Sequence, residues 1–213
     1  MMSRSVLAVV VAALLSLGGS HVSGQWRPGA PMRIVLLVDS SAAATPMISH
    51  FRAALDTFLE GLPGDPEIMI VSTGSQPRIR VTPTSDRAPL RSEAARFTTD
   101  GGGNALLDAL LESDRRFLKS EPKRRPIFVI LTTDAASELG EARLNAYNAF
   151  VNDFVARGGR GHAIIVRGVR SGVNSQIAEN LAQNTGGYCE TVLIANAVPT
   201  IMKTLTEYVA ADQ

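Results

Sequence analysis

Two apolar runs in this sequence end in an aspartate. Ile34 to Val38 leads into Asp39-Ser40-Ser41-Ala42-Ala43, and Ile130-Leu131 leads through Thr132-Thr133 into Asp134. Runs of this length read as buried strands, so each aspartate is expected at a strand's carboxyl end. A third segment, Gly101-Gly102-Gly103-Asn104, opens a helical pattern. Two carboxylates with hydroxyls between them form a hard-oxygen set suited to Mg²⁺, Mn²⁺ or Ca²⁺. Asp39 and Asp134, with the hydroxyls beside them, are therefore candidate metal ligands. Each also has an ordinary role open to it: the aspartates can bond loop backbone, Ser40 and Ser41 can cap the loop, and Asn104 can cap a helix. Capping alone does not readily place two aspartates on adjacent strand ends. At a strand end outside the apolar core, Asp39 is expected to contribute little to stability.

Catalytic alternatives lack parts. A dinucleotide-binding domain needs a glycine fingerprint after its first strand, and Ser40 to Ala44 holds no glycine. A serine hydrolase needs a Gly-x-Ser-x-Gly elbow and a histidine, but the motif is missing and His50 and His162 sit on a helix and at a strand start. A phosphoaspartyl hydrolase using Asp39 as nucleophile is the remaining catalytic rival. It calls for a lysine near the strand ends, where Lys119, Lys123 and Lys203 are not expected. The triple glycine lacks a following Lys-Ser or Lys-Thr, so it reads as a flexible loop and not as a phosphate cradle. The chain is read as a non-enzyme.

Composition narrows the partners. With 21 basic and 20 acidic residues the net charge of +1 provides no field for nucleic acid or an anionic membrane. Arg78, Arg80, Arg87, Arg91 and Arg96 crowd one stretch whose only aromatic is Phe97, which favours a solvated face or a protein contact over a nucleic-acid surface. Arg78, Arg80, Arg87 and Arg91 are the candidate contact residues of a metal-free adaptor. The single cysteine, Cys189, excludes an intrachain disulfide and reads as an apolar strand residue. At the N-terminus, Arg4, the apolar run Val6 to Leu17 and Val22-Ser23-Gly24 have the form of a secretory signal cleaved before Gln25. That run is well short of the roughly 20 residues that span a bilayer. An exported chain, periplasmic or secreted, is expected, with residues 1–24 as signal, 25–31 as leader and 32–210 as one domain.

From Met32 onward, apolar runs alternate with helical periodicity, the mark of a parallel sheet covered on both faces. Strands are expected at Ile34 to Val38, Glu67 to Ser72, Arg78 to Val81, Ile127 to Thr132, His162 to Val166 and Tyr188 to Leu193. Arg78 to Val81 alternates and follows a short turn, which predicts an antiparallel edge. Helices are expected from Pro46 to Leu62 with Thr45 as N-cap, from Ala105 to Lys119, around Leu144 to Phe154, around Ile177 to Leu181 and around Ile201 to Val209. Ser85 to Thr99 stays unassigned. The fold class is doubly wound α/β, with a mostly parallel six-stranded sheet, one antiparallel edge strand and helices on both faces.

In these segments the chain resembles the von Willebrand factor type A domain, whose metal-ion-dependent adhesion site combines Asp-x-Ser-x-Ser after the first strand, a threonine on a glycine-rich loop and a later aspartate. Asp39 and Ser41 match the first element, with Ala43 at its second serine. Gly102-Gly103-Asn104-Ala105-Leu106 is similar to the loop, with Asn104 in the threonine position. Ile130 to Asp134 is similar to the last element, with Ala135 where glycine is usual. The resemblance runs from about Met32 to Val209. It implies an adhesion or adaptor module that binds a protein partner through a divalent cation such as Mg²⁺ at Asp39, Ser41, Asn104 and Asp134. An Asp or Glu carboxylate of the partner would complete the metal.

Overall fold

The computed structural model describes residues 26–134, 141–168 and 172–213. The expected signal, its cleavage point before Gln25 and Ala135 lie outside the described residues. Six strands form one sheet: β1 (Met32–Val38), β2 (Glu67–Ser72), β3 (Arg78–Thr84), β4 (Arg125–Thr133), β5 (Arg160–Val166) and β6 (Cys189–Val192), in the order β3-β2-β1-β4-β5-β6. All neighbours pair parallel except β2 and β3, so the antiparallel edge expected at Arg78 is present and extends to Thr84.

Every residue of β1 is buried, as a central strand covered on both faces requires. Its side chains alternate between two cores. Ile34, Leu36 and Val38 pack beneath α1 (Ile48–Gly61), α2 (Arg87–Arg96) and α6 (Val198–Ala211), together with Phe51, Phe58, Leu90 and Leu205. Val35 and Leu37 face α3 (Leu106–Ser113), α4 (Glu141–Ala156) and α5 (Val173–Thr185), where the rings of Phe128, Phe150 and Phe154 meet edge-to-face or tilted with centroids 5.3 to 6.1 Å apart. Burying a side chain of this size contributes about 1.5–3 kcal/mol, so β1 cannot slip by one residue without exchanging its two cores.

Several expected boundaries differ. After β1 the chain tightens into a 3₁₀ turn, Ala42–Met47, that contains Pro46, and α1 starts only at Ile48 with Met47 as an N-cap lacking a side-chain bond. Thr45 is thus not the cap. The turn carries the chain over the sheet end and buries Ala44 before the helix begins. The unassigned stretch contains α2, capped by Asp86, whose carboxylate accepts the Ala88 N–H at 2.9 Å. The helix expected to run to Lys119 ends at Ser113 and continues as a π turn, Asp114–Leu118, which sets the buried Asp114 carboxylate 2.6 Å from Arg157. β6 stops at Val192 and leaves Leu193 and Ile194 exposed. Among the described residues no helix is long and apolar enough to cross a membrane.

Candidate functional site at the strand carboxyl ends

Strand order reverses at β1, which has β2 on one side and β4 on the other. The carboxyl ends of β1 and β4 flank this switch point, where open α/β sheets place ligands. The pairing of Val38 with Leu131 brings Asp39 beside Thr132 and Thr133, and the Asp39 N–H donates to the Leu131 carbonyl at 2.8 Å. Asp39 is 1% exposed. One carboxylate oxygen, Oδ1, accepts the Ser41 N–H at 2.8 Å. Oδ2 accepts the Asn104 side-chain amide at 2.8 Å, the Thr133 N–H at 3.0 Å and the Thr133 hydroxyl at 2.5 Å. Four neutral donors therefore hold this buried carboxylate, and its place at a strand end does not make it peripheral.

Asn104 is the residue through which the glycine loop reaches the site, and it does not cap α3; that position belongs to Ala105. Its Nδ2 donates to both Asp39 Oδ2 and Thr132 Oγ1, each at 2.8 Å, and its Oδ1 accepts the Thr73 hydroxyl at 2.6 Å. The carbonyl of Asn104 accepts the Asn174 side chain at 3.2 Å. Asp134 follows β4, and its Oδ2 accepts the Gly168 N–H at 2.9 Å. Ser41 is 1% exposed and its hydroxyl finds no hydrogen-bond partner among the described residues. The structure thus brings Asp39, Ser41 and Asn104 into one bonded cluster and sets Asp134 at the end of the strand that supplies Thr132 and Thr133.

The glycine loop is pinned, contrary to the expected flexibility. Ala42 N–H donates to the Gly102 carbonyl at 3.0 Å, Ser75 N–H to that of Gly103 at 2.7 Å, and Asp100 N–H to that of Ser40 at 2.7 Å. Gly102 has φ +63°, and a Cβ there would lie 2.1 Å from the Ser75 hydroxyl, so both conformation and close approach call for glycine. Asp100 anchors the loop. Its Oδ2 accepts the Ser40 hydroxyl at 2.7 Å and that of Ser72 at 2.6 Å, and its Oδ1 accepts Arg80 Nη2 at 2.7 Å. Burial opposes ionisation of Asp100, but the two hydroxyls and the guanidinium outweigh it and hold its carboxyl below the ordinary value. The sequence did not single out Asp100 or Thr73, and it presented Thr133 only as one of the hydroxyls leading into Asp134. The polar Ser72-Thr73 step at the end of an apolar strand was the available signal.

The candidate contact arginines divide. Arg80 is spent internally, paired to Asp100 and lying 5.7 Å over the Phe97 ring. Arg87 donates to the Gly64 carbonyl at 3.2 Å. Arg78 and Arg91 keep about half of their side chains exposed, with Arg78 3.3 Å from Asp100 and Arg91 4.0 Å from Glu60. Cys189 is half-buried, and burial together with Glu179 and Glu190 pushes its thiol up to about 11, so it is not a reactive thiol at neutral pH.

A divalent cation fits this donor set only in part. The unpartnered Ser41 hydroxyl is the type of oxygen a hard cation takes. Ala43 supplies none. Asn104 turns its amide NH₂, a donor, toward Asp39, and the opposite orientation would set its oxygen against a carboxylate, so Asp39 itself fixes the amide. Among the described residues no group of three or more His, Cys, Asp or Glu side chains forms a metal cluster.

Residues 34–137 match the family model of the von Willebrand factor type A domain. No curated protein matches the sequence. Among solved structures, a von Willebrand factor type A protein from Catenulispora acidiphila superposes with a TM-score of 0.68 at 13% identity, over 86% of this chain and 43% of that one. The pilus adhesin SpaC from Lactobacillus rhamnosus GG gives 0.65 at 12% identity, over 86% and 30%. The manganese-loaded Plasmodium vivax TRAP protein gives 0.58 at 17% identity, over 83% and 74%. The chain thus spans less than half the length of the first two. At these identities the likeness is one of fold.

Proposed function

We propose, on the premise that this chain belongs to the von Willebrand factor type A domain family, that it works as an exported protein-binding module of adhesion or adaptor type, with the strand carboxyl ends as its contact face. The observation that carries this reading is Ser41. Its hydroxyl is buried beside Asp39, at the switch point of the sheet, with no hydrogen-bond partner among the described residues. Leaving such a group unsatisfied costs about 1–3 kcal/mol, and a group supplied by a bound partner would remove that cost. Members of the family are generally interaction modules and not enzymes, and one structural neighbour is a pilus adhesin. Export rests on the pattern of Arg4, the apolar run Val6 to Leu17 and Val22-Ser23-Gly24.

The same hydroxyl favours a second reading, in which Ser41, Asp39 and Asp134 hold Mg²⁺ or Mn²⁺ and a partner's Asp or Glu carboxylate completes the shell. The manganese in the TRAP neighbour is its precedent. The metal-free adaptor is a third, with Arg78 and Arg91 as its available contacts. Capture of proteins from the exported fraction on the immobilised chain separates these readings. The carboxyl-end face predicts specific capture that Asp134→Ala and Ser41→Ala abolish and that Arg78→Glu spares. Loss on Arg78→Glu alone would move the contact to the arginine edge. Loss on adding chelator would support the cation.

A further inference from the structure

The hydrogen bonds around Asn104 carry a conclusion about this site that rests on reading the carboxyl-end face as the functional one. We infer that Asn104 is a resident occupant of the Asp39 carboxylate, taking the place a cation would need and closing the site to divalent metals. Every polar atom of its amide is committed. One hydrogen of Nδ2 goes to Asp39 Oδ2 and the other to Thr132 Oγ1, while Oδ1 accepts from Thr73. Thr132 cannot release the amide by reversing its own bond, because its hydroxyl already donates to the Thr133 carbonyl at 2.9 Å. Thr73 sits on the far arm of the amide, buried at the end of β2, and holds the oxygen away from Asp39.

The backbone fixes the side chain's point of departure. Asn104 forms an isolated antiparallel bridge with Gly74, Ala105 N–H donates to the Thr73 carbonyl at 2.6 Å, and Ser75 N–H donates to the Gly103 carbonyl. Asp100, bonded to Ser40 and Ser72, clamps the other end of the loop. A cation entering beside Asp39 would have to displace an amide held by three partners at the ends of three strands, β1, β2 and β4. It would gain one hydroxyl, that of Ser41, and nothing from Ala43. Mg²⁺ and Mn²⁺ require several oxygens at once in near-octahedral geometry, so the exchange is unfavourable. A hydroxyl in place of the Asn104 amide reverses the logic: it can donate to Asp39 while offering a lone pair to a metal. The identity of residue 104 therefore decides whether this face recognises its partner directly or through an ion.

The test uses the chain without any partner, so its failure and the failure of the protein-binding reading are separate events. Mn²⁺ is titrated calorimetrically into wild type, Asn104→Ala and the double variant Ala43→Ser, Asn104→Thr, while ¹⁵N spectra follow the Asn104 side-chain NH₂ of wild type. Wild type is expected to give no saturable heat at millimolar Mn²⁺ and no selective broadening of that NH₂ pair. The double variant should bind Mn²⁺ at least tenfold more tightly, and Asn104→Ala, which frees Asp39 without adding a ligand, should fall between. Thermal melts establish that each variant folds, and the alanine variant stands alone if the double variant does not. Saturable binding by wild type with selective broadening at Asn104 overturns the inference, as does the absence of any gain in folded Asn104→Ala.

Discussion

The two ends of the sheet enclose buried charge in different ways. At the amino ends of the strands, Arg33 pairs with Glu67, Arg124 joins it at 3.0 Å, and Asp212 receives Arg125 at 3.2 Å, Arg160 at 3.3 Å and His162 at 3.0 Å. Each carboxylate there faces a cation or an imidazole, and His162 is satisfied on its second nitrogen by the Tyr188 N–H. At the carboxyl ends, Asp39 has neutral donors only; the Ser41 hydroxyl, like Arg125 Nε and Arg160 Nε at the amino ends, is buried with no hydrogen-bond partner among the described residues. The paired end ties α6 and the strand starts together. The other end holds Asp39 on neutral donors alone at the switch point of the sheet, and the proposed contact face lies there.

Removing one carboxylate from each end measures the difference. Asp212→Ala strands two guanidinium groups and an imidazole in a partly buried site, and should cost about 3–5 kcal/mol in urea unfolding. Asp39→Ala leaves the Ser41 N–H, the Asn104 amide and the Thr133 N–H and hydroxyl without their acceptor. It should cost about 2–3 kcal/mol, which reverses the expectation that this strand-end aspartate contributes little. A loss below about 0.5 kcal/mol at Asp39, the range of ordinary surface changes, would show that the hydrogen bonds around it do not hold.

A smaller loss is expected where the glycine loop meets Ser75. Gly102→Ala places a Cβ 2.1 Å from the Ser75 hydroxyl at φ +63°. It should cost about 1–3 kcal/mol and free the Asn104 side chain, read as faster exchange of its NH₂. Gly103→Ala, with open space for a Cβ and no positive φ, should be close to neutral. Equal effects of the two would mean the loop is loose.

The two ends should also separate by pH, with the smallest effect. Burial lowers the His162 value despite the opposing Asp212 carboxylate, with Arg160 and Arg125 acting in the same direction as burial. The unfolded chain therefore takes up this proton first. Stability from neutral His162 is complete above its unfolded value, near 6.5, and is lost as pH falls through the lower folded value. Asp100 at the other end, held below its ordinary 3.8, keeps its contribution until pH falls beneath that number. Urea midpoints should decline first below about pH 6.5, and His162→Asn should flatten that limb while leaving the acid limb. An unchanged limb in the variant would remove His162 from the account.

The architecture was legible because its signals are local. Ile34 to Val38 is apolar on both faces, Arg78 to Val81 alternates, and the two aspartates close apolar runs, so strands, edge and switch point followed from pattern. The helix Arg87–Arg96 was legible only as a short helix or loop, because Leu90 is its one large apolar residue and the rest are alanine, proline or polar. Pro46 misled for a related reason: its fixed φ suits a 3₁₀ turn as well as a first helical residue. At the site, Asp39, Ser41, Asn104 and Asp134 were legible as a set, but the direction of the Asn104 amide was not. That direction depends on Thr73 and Thr132, which lie 31 and 28 residues away in sequence. Asp100 was invisible for the same reason, since its partners Ser40, Ser72 and Arg80 meet it only in the folded sheet.

The central claim, that hydrogen bonds close the strand-end site without a cation, has a direct measurement in anomalous scattering. Wild-type crystals soaked in millimolar Mn²⁺ should give no anomalous peak between Ser41, Asp39 and Asp134, with Asn104 Nδ2 still on Asp39 Oδ2. A Mn²⁺ peak within bonding distance of Ser41 Oγ in the wild-type chain would contradict it.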